Sequence, residues 1–126
     1  MIDHVSIEVS DLGRSAQFYE RVLKPLNMHV VTEQSDTVGY GKKYSEFWIN
    51  LRHDMPKVAA NSGLHICLRA PDTAAVDDFY QTALDNGGGD DGKPGMRAHY
   101  THNYYAAFIS DPDGNRIEAV TFVEQS

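Results

Sequence analysis

Hydrophobic and polar residues alternate along two short segments, one near the N-terminus and one near the middle of the chain. In the segment DHVSIEVS, Val5, Ile7 and Val9 alternate with polar residues, and in LHICLRA, Ile66 and Leu68 do the same. A period of two places successive side chains on opposite faces of an extended strand. The pattern therefore predicts two β-strands, each with one apolar and one polar face.

A helix is predicted directly after each of these strands. Asp11 and Asp72 occupy positions where a carboxylate can accept hydrogen bonds from the first free amides of a helix. Apolar residues then recur at helical spacing, namely Leu12, Ala16, Tyr19, Val22 and Leu23 in the first helix and Val76, Phe79, Tyr80, Ala83 and Leu84 in the second. Pro25 ends the first helix, and the glycines at positions 87–89 end the second.

The two strand–helix segments are copies of one another. The residues that are identical at a constant offset are His4 and His65, Asp11 and Asp72, Phe18 and Phe79, Tyr19 and Tyr80, and Leu23 and Leu84. A repeat that occurs only twice favours a domain built from paired modules over a solenoid, which needs at least about three repeats.

Shorter strand signals follow each helix. They are MHVVTE, TVGYG and SEFWINLR in the first half, and NYYAAFIS and NRIEAVTFV, after the glycine-rich GGGDDGKPG, in the second. The turn Asp111–Gly114 has proline second and glycine fourth, so it should join two antiparallel strands. We therefore predict an α+β fold in which two tandem βαβββ modules form a curved mixed sheet around a cavity. The chain 1–126 would be one domain, with module one at about 1–53, a linker at about 54–62 and module two at about 63–126.

The apolar faces of the strands must pack against the helices, because that burial drives folding. The polar faces then line the other side of the sheet, and they carry His4, Ser6, Glu8, His65, Arg69, Glu46, Trp48, Asn50 and Glu118. If the sheet curves, this polar side becomes a concave surface of the kind in which ligands bind.

Composition narrows the possible functions. The net charge is −7 without a basic stripe, so nucleic acid and anionic membranes are poor partners. Cys67 is the only cysteine, which rules out an intrachain disulfide and a cysteine-rich zinc site, and we interpret it as a small strand residue. Met1 leads straight into the alternating pattern without a basic or apolar leader, and we expect a cytoplasmic protein.

The repeated histidines suggest a metal. His4 and His65 hold equivalent positions in the two modules, and Glu118 on the last strand offers a carboxylate. Neutral imidazoles and a carboxylate are typical ligands of a divalent transition metal. Taken singly, each of these residues is more simply explained as a polar surface residue. Their shared strand face and repeat symmetry favour the metal hypothesis.

These segments resemble the vicinal oxygen chelate superfamily, which includes glyoxalase I, bleomycin-resistance proteins, fosfomycin-resistance transferases and extradiol dioxygenases. The resemblance rests on DHVSIEVSDLGRSAQFYERVL, on the histidine of GLHICLRA and on DPDGNRIEAV, and it spans nearly the whole chain. It implies a glyoxalase-like fold, often a homodimer, and a divalent ion held by His4, His65 and Glu118. Zinc, nickel, manganese, iron and cobalt are all compatible with these ligands.

One position departs from the family pattern. The resemblance implies a further ligand on the last strand of module one, which in glyoxalase I is a glutamate that also moves a proton. Asn50 stands there, and an amide cannot act as a general base, so glyoxalase I activity is doubtful. Glu46 shares the strand face of Asn50 but lies four residues away, about 13 Å along a strand, and could serve only with a bulge or shifted register.

The segment MRAHYTHNYY is rich in titratable groups and follows the glycine-rich stretch, which suits a loop over the cavity. We predict that Arg97 holds an anionic substrate group and that His99 or His102 relays protons. Either Tyr104 or Tyr105 could donate to a substrate oxygen, and only one of the two should face the cavity. The alternative interpretation is a dimer contact or a hydrated surface loop.

Two functions remain open. The first is a metal-dependent enzyme acting on a small oxygen-rich substrate as a lyase, isomerase, transferase or dioxygenase. The second is a metal-free small-molecule binding protein like the bleomycin-resistance members. The retained set of His4, His65 and Glu118 favours the enzyme.

Overall fold

The computed structural model describes residues 1–124, which fold into two βαβββ modules. The first module comprises β1 (Val5–Val9), α1 (Leu12–Leu23), β2 (His29–Glu33), β3 (Thr37–Gly41) and β4 (Phe47–Leu51). The second comprises β5 (His65–Arg69), α2 (Thr73–Asp85), β6 (Gly89–Met96), β7 (Tyr104–Ser110) and β8 (Arg116–Phe122). The predicted duplication of a βαβββ unit is confirmed.

Both helices begin at the predicted aspartates. The Asp11 carboxylate accepts from the Arg14 amide at 3.1 Å, and the Asp72 carboxylate accepts from the Ala75 amide at 2.8 Å. Such caps satisfy amides that have no partner within the helix. After α1 the chain forms a short 3₁₀ turn that contains Pro25. No helix within the described part of the chain is long and apolar enough to cross a membrane.

Each module forms its own four-stranded mixed sheet. The strand orders are β1-β4-β3-β2 and β5-β8-β7-β6, with the first pair of each order parallel and the others antiparallel. Strands β1 and β5 therefore lie at sheet edges, and across residues 1–124 no backbone ladder joins the two sheets.

One face of each sheet packs against the helices, as the alternation predicts. On β1, Ile7 and Val9 are buried while Ser6 and Glu8 are exposed. The buried residues of both modules form one hydrophobic cluster, in which aromatic residues of α1 and α2, such as Phe18 and Phe79, are included. The opposite face of each sheet, which we call the open face, is not covered by a helix.

The glycine-rich stretch forms strand β6 (Gly89–Met96), which alternation did not predict. It pairs with β7, with register shifts between Asp90 and Gly92 and between Gly92 and Gly95. Gly92 has φ +154°, a backbone conformation that side chains rarely permit. Two irregularities and several glycines hide the strand from a reading based on alternation.

The turn Asp111–Gly114 joins β7 to β8, as predicted, and it also reaches module one. The Asp113 carboxylate accepts from the amide of Ser10 at 3.0 Å and from its hydroxyl. The Asp111 carboxylate accepts from the hydroxyl of Tyr19 at 2.6 Å. This turn therefore ties the second module to the beginning of α1.

Candidate functional site

The central feature of the second open face is a histidine–carboxylate pair. Strands β5 and β8 are parallel and place Cys67 opposite Glu118, so the side chains of His65 and Glu118 lie on the same face. The Nε2 atom of His65 is 3.0 Å from Oε1 of Glu118. Glu118 is only 2% exposed, whereas the His65 side chain is 45% exposed. The pair thus has a buried acid and a solvent-accessible imidazole.

Tyr104 completes the hydrogen bonding of Glu118. Its hydroxyl donates to Oε2, the carboxylate oxygen that His65 does not contact. Burial, followed by this hydrogen bond, raises the pKa of Tyr104 well above its usual value. Tyr104 therefore keeps its proton at neutral pH and donates it to Glu118. Tyr105 lies on the opposite face and donates to Asp77 at 2.7 Å, so Tyr104 is the tyrosine at the site.

Cys67 lies beside this group, with its sulfur 3.9 Å from the Tyr104 hydroxyl. Cys67 is exposed at one side, and partial desolvation, followed by the charge of Glu118, raises the pKa of its thiol to about 12. A thiol of this kind is neutral at physiological pH and is a poor nucleophile. The site is therefore built around His65 and Glu118, with two neutral donors next to them.

The structure places His4 away from this pair. His4 precedes β1, is exposed, and its Nδ1 lies 2.8 Å from Oδ1 of Asp3. It lines a cavity together with Leu68 and Arg69 at the end of β5, whereas His65 lines a separate cavity with Ile7. Because His4 is three residues before Ile7, it lies about 10 Å further along the strand.

The donors fit a metal ion in part. Two ligands at right angles and about 2.1 Å from an ion lie about 3.0 Å apart, which matches the separation of His65 and Glu118. Within residues 1–124, however, no three His, Cys, Asp or Glu side chains are grouped so as to hold a metal. Of the three predicted ligands, the described part of one chain therefore brings only His65 and Glu118 together.

Asn50 and Glu46 have different surroundings in the structure. Asn50 lies on the first open face, where its Oδ1 accepts from the hydroxyl of Thr37 at 2.6 Å. Glu46 precedes β4 and lines the cavity that contains His4. The first open face consequently offers an amide, and no carboxylate, at the position expected for a further ligand.

The loop between β6 and β7 carries the other predicted site residues. Arg97 donates to the carbonyls of Gly95 and Lys93 at 2.9 and 2.7 Å, and its guanidinium lies 5.7 Å from the ring centre of Phe108. His99 and His102 are exposed, and the His99 ring packs edge-on against Tyr100 at 4.3 Å. Neither histidine contacts the His65–Glu118 pair.

Sequence reasoning did not identify Cys67 or Phe108 as neighbours of the site. Cys67 shares the strand phase of His65, so its position could have been inferred from alternation alone. Phe108 lies opposite Glu118 on β7 and its ring is 5.8 Å from that of His65. That proximity depends on the register between β7 and β8, which the sequence does not specify.

Two βαβββ modules with a histidine–carboxylate pair on an open sheet face define a glyoxalase-like protein. The model of the Glyoxalase/Bleomycin resistance protein/Dioxygenase superfamily matches residues 1–119, and the chain belongs to this superfamily. The predicted resemblance is confirmed.

Individual relatives agree with this assignment. The chain is 33% identical to the probable lactoylglutathione lyase of Synechocystis sp., over 93% of this chain and 92% of the relative. It is similar to the structure of a glyoxalase/bleomycin resistance protein from Albidiferax ferrireducens, with 27% identity, a TM-score of 0.82 and coverage of 94% and 96%. A glyoxalase I variant from Zea mays shares the fold, with 19% identity and a TM-score of 0.72, and this chain spans 45% of its length.

Proposed function

We propose that the protein is a metal-dependent enzyme of the vicinal oxygen chelate type that acts on a small oxygen-rich substrate. The observation that carries the proposal is the His65–Glu118 pair, whose donor atoms are 3.0 Å apart on the open face. The name of the Synechocystis relative favours a lyase reaction. Asn50 argues against the glutamate-assisted proton transfer of glyoxalase I.

We further propose that the metal site forms between two copies of the chain. His65 and Glu118 of one copy would be joined by His4 of the other, since the described part of a single chain does not group three such ligands. In a twofold dimer the same contact occurs twice, so two equal sites result. Exposed apolar side chains such as Val31, Met96 and Phe122 are consistent with a surface that becomes covered.

Each residue would then have a definite task. His65 and Glu118 hold the ion, which when bound supplies Lewis-acid chemistry toward a substrate carbonyl or a pair of neighbouring oxygens. Tyr104 donates its single hydroxyl proton to Glu118 and so fixes the orientation of that carboxylate, and it can donate to a substrate oxygen only after it releases Glu118. The guanidinium of Arg97 lies over Phe108, next to His65, where it can hold an anionic group. His99 or His102 on the adjoining loop relays protons to solvent.

Metal content tests this proposal. Protein purified without chelator should contain about one divalent ion per chain, and His65→Ala and Glu118→Gln should each reduce the content to near zero because a ligand is lost. Elemental analysis by mass spectrometry measures this directly, and His53→Ala, which changes an exposed histidine after β4, is the matched control. Full metal content in His65→Ala would contradict the proposal.

A metal-free binding protein is the second candidate, and one observation favours it. Both oxygens of Glu118 already accept hydrogen bonds, from His65 and Tyr104, so the buried carboxylate is satisfied without an ion. If wild-type protein takes up no divalent metal from a panel of zinc, nickel, manganese, iron and cobalt, this second function replaces the first.

A further inference from the structure

A cavity of about 400 Å³ lies between the two modules, and its lining includes Cys67 and Arg69, which share the strand face of His65. It is bounded by the residues before β1, by the beginning of β4 and by most of β5. Its volume lies in the usual range for small-molecule sites, about 300–1,000 Å³. The partly exposed side chains of Val5, Ile66 and Leu68 give it apolar walls.

Arg69 lines this cavity, and its guanidinium is the one that can bind a ligand. Among the described residues it has no carboxylate or hydrogen-bond partner, and its guanidinium lies 4.7 Å from the ring centre of Phe122. The other arginines all donate to an oxygen of the protein, namely Arg14, Arg21, Arg52, Arg97 and Arg116. An arginine held against a ring keeps its planar set of donors in place for a ligand.

The other charged residues of the cavity are Lys42, Asp3 and Glu46. Lys42, on the exposed loop before β4, forms no ion pair within residues 1–124. Asp3 lies 2.8 Å from His4, and Glu46 is the second carboxylate of the lining. Arg69 and Lys42 therefore face two carboxylates, and Arg69 is the cation that a ligand anion can reach without breaking a contact within the described residues.

We propose that this cavity binds a small amphipathic organic anion. A carboxylate of the ligand would accept from Arg69 and Lys42, and an apolar chain would pack against Val5, Ile66 and Leu68. The inference goes beyond the proposed function, because neither His65 nor Glu118 lines the cavity. His4 does line it and is a proposed metal ligand, so the test uses metal-free protein.

The test is a titration of chelator-treated protein, followed by backbone amide NMR, with hexanoate and with its uncharged counterpart hexanamide. Hexanoate should bind with a dissociation constant of about 1 mM or below and shift amides of β5 and of the loop before β4. Hexanamide should bind at least about tenfold more weakly, because it lacks the charge that strengthens hydrogen bonds to a guanidinium.

Four variants sharpen the result. Arg69→Gln should weaken hexanoate binding at least about tenfold, while Arg52→Gln, an exposed arginine paired with Glu8, should leave it unchanged. Glu46→Gln removes the opposing charge and should strengthen binding about two- to fivefold. Lys42→Gln removes the second positive charge, which lies on an exposed loop, and it should also weaken hexanoate binding.

Several outcomes would overturn the proposal. They are equal affinity for the acid and the amide, an unchanged affinity in Arg69→Gln, and amide shifts confined to residues outside the cavity. Absence of any binding, as expected if a second copy of the chain fills the cavity, would overturn it as well. None of these results affects the metal site, since no metal is present in the experiment.

Discussion

Glu118 is a carboxylate almost fully removed from solvent, and its two hydrogen-bond partners explain how the fold tolerates it. A buried polar group is costly unless its hydrogen bonds are formed. His65 supplies one partner from β5 and Tyr104 supplies the other from β7, so three neighbouring strands meet at this side chain. Loss of either partner leaves a buried oxygen unsatisfied.

Tyr104→Phe should therefore destabilise the protein by about 1–3 kcal/mol, the usual effect of removing one partner of a buried acceptor. Urea unfolding measures the change. Tyr105→Phe is the matched control, since its hydroxyl donates to the exposed Asp77 and its loss should cost less than about 1 kcal/mol. Equal effects of the two substitutions would show that Glu118 does not depend on Tyr104.

The alkylation rate of Cys67 gives a second test at the level of single residues, in metal-free protein. Because its thiol pKa is raised to about 12, the reactive thiolate is scarce at pH 8. Alkylation by iodoacetamide should be at least about 100-fold slower than for an ordinary thiol, and its rate should still rise with each pH unit up to pH 10. Glu118→Gln removes a negative charge that raises this pKa, so alkylation should accelerate. A rate that levels off near pH 9 would contradict the assignment.

Among the elements, the turn Asp111–Gly114 has the widest influence on the fold. Asp113 accepts from Ser10 at the beginning of α1, and Arg14 of the same helix lies 3.4 Å from it. Burial raises the pKa of Asp111, although hydrogen bonds from Tyr19 and Asn115 oppose this effect. The turn thus holds the two modules together by polar contacts where no strand ladder does so.

Asp113→Ala should cost about 2–4 kcal/mol, because it removes the acceptor of the Ser10 amide and hydroxyl and leaves the amide without a partner in a partly buried place. Thermal unfolding gives the measurement. Asp36→Ala, which changes an exposed aspartate in the turn before β3, should have almost no effect. A loss in Asp113→Ala no larger than in Asp36→Ala would mean that the turn does not tie the modules together.

The same turn shows how far the sequence predicts these elements. Its position between two antiparallel strands follows from proline and glycine, and the helix caps follow from Asp11 and Asp72. Its contact with Ser10 joins residues about a hundred positions apart, and no local pattern indicates it. Strand β6 is also hidden, since glycine has low strand propensity and the ladder is imposed by β7.

For the molecule as a whole, the relative position of the two modules decides which of the proposed metal ligands lie close together. Repeat symmetry made His4 and His65 look equivalent, and alternation correctly placed His65 and Glu118 on one face. The distance between His4 and that pair depends on how β1 and β5 lie side by side, which is a tertiary property. The metal site that we propose, with His4 beside His65 and Glu118, therefore needs a second chain.

Mixing two inactive variants tests this requirement. His4→Ala and His65→Ala should each bind no metal, yet a mixture unfolded and refolded together should regain about a quarter of the wild-type content. Half of the dimers are then mixed, and one of their two sites combines the remaining histidines. Elemental analysis after gel filtration provides the readout. No recovery in mixed dimers would place the site within one chain or exclude it.

Strand β6 also has a consequence for solubility. It is an outer strand of its sheet, it contains Pro94, which has no amide N–H to donate, and two register shifts make it irregular. A broken edge of this kind is a poor template for another β-chain, and so it protects against fibrillar aggregation. Substitutions that replaced its glycines and proline with residues that favour strands would straighten this edge, and we expect such variants to precipitate more readily.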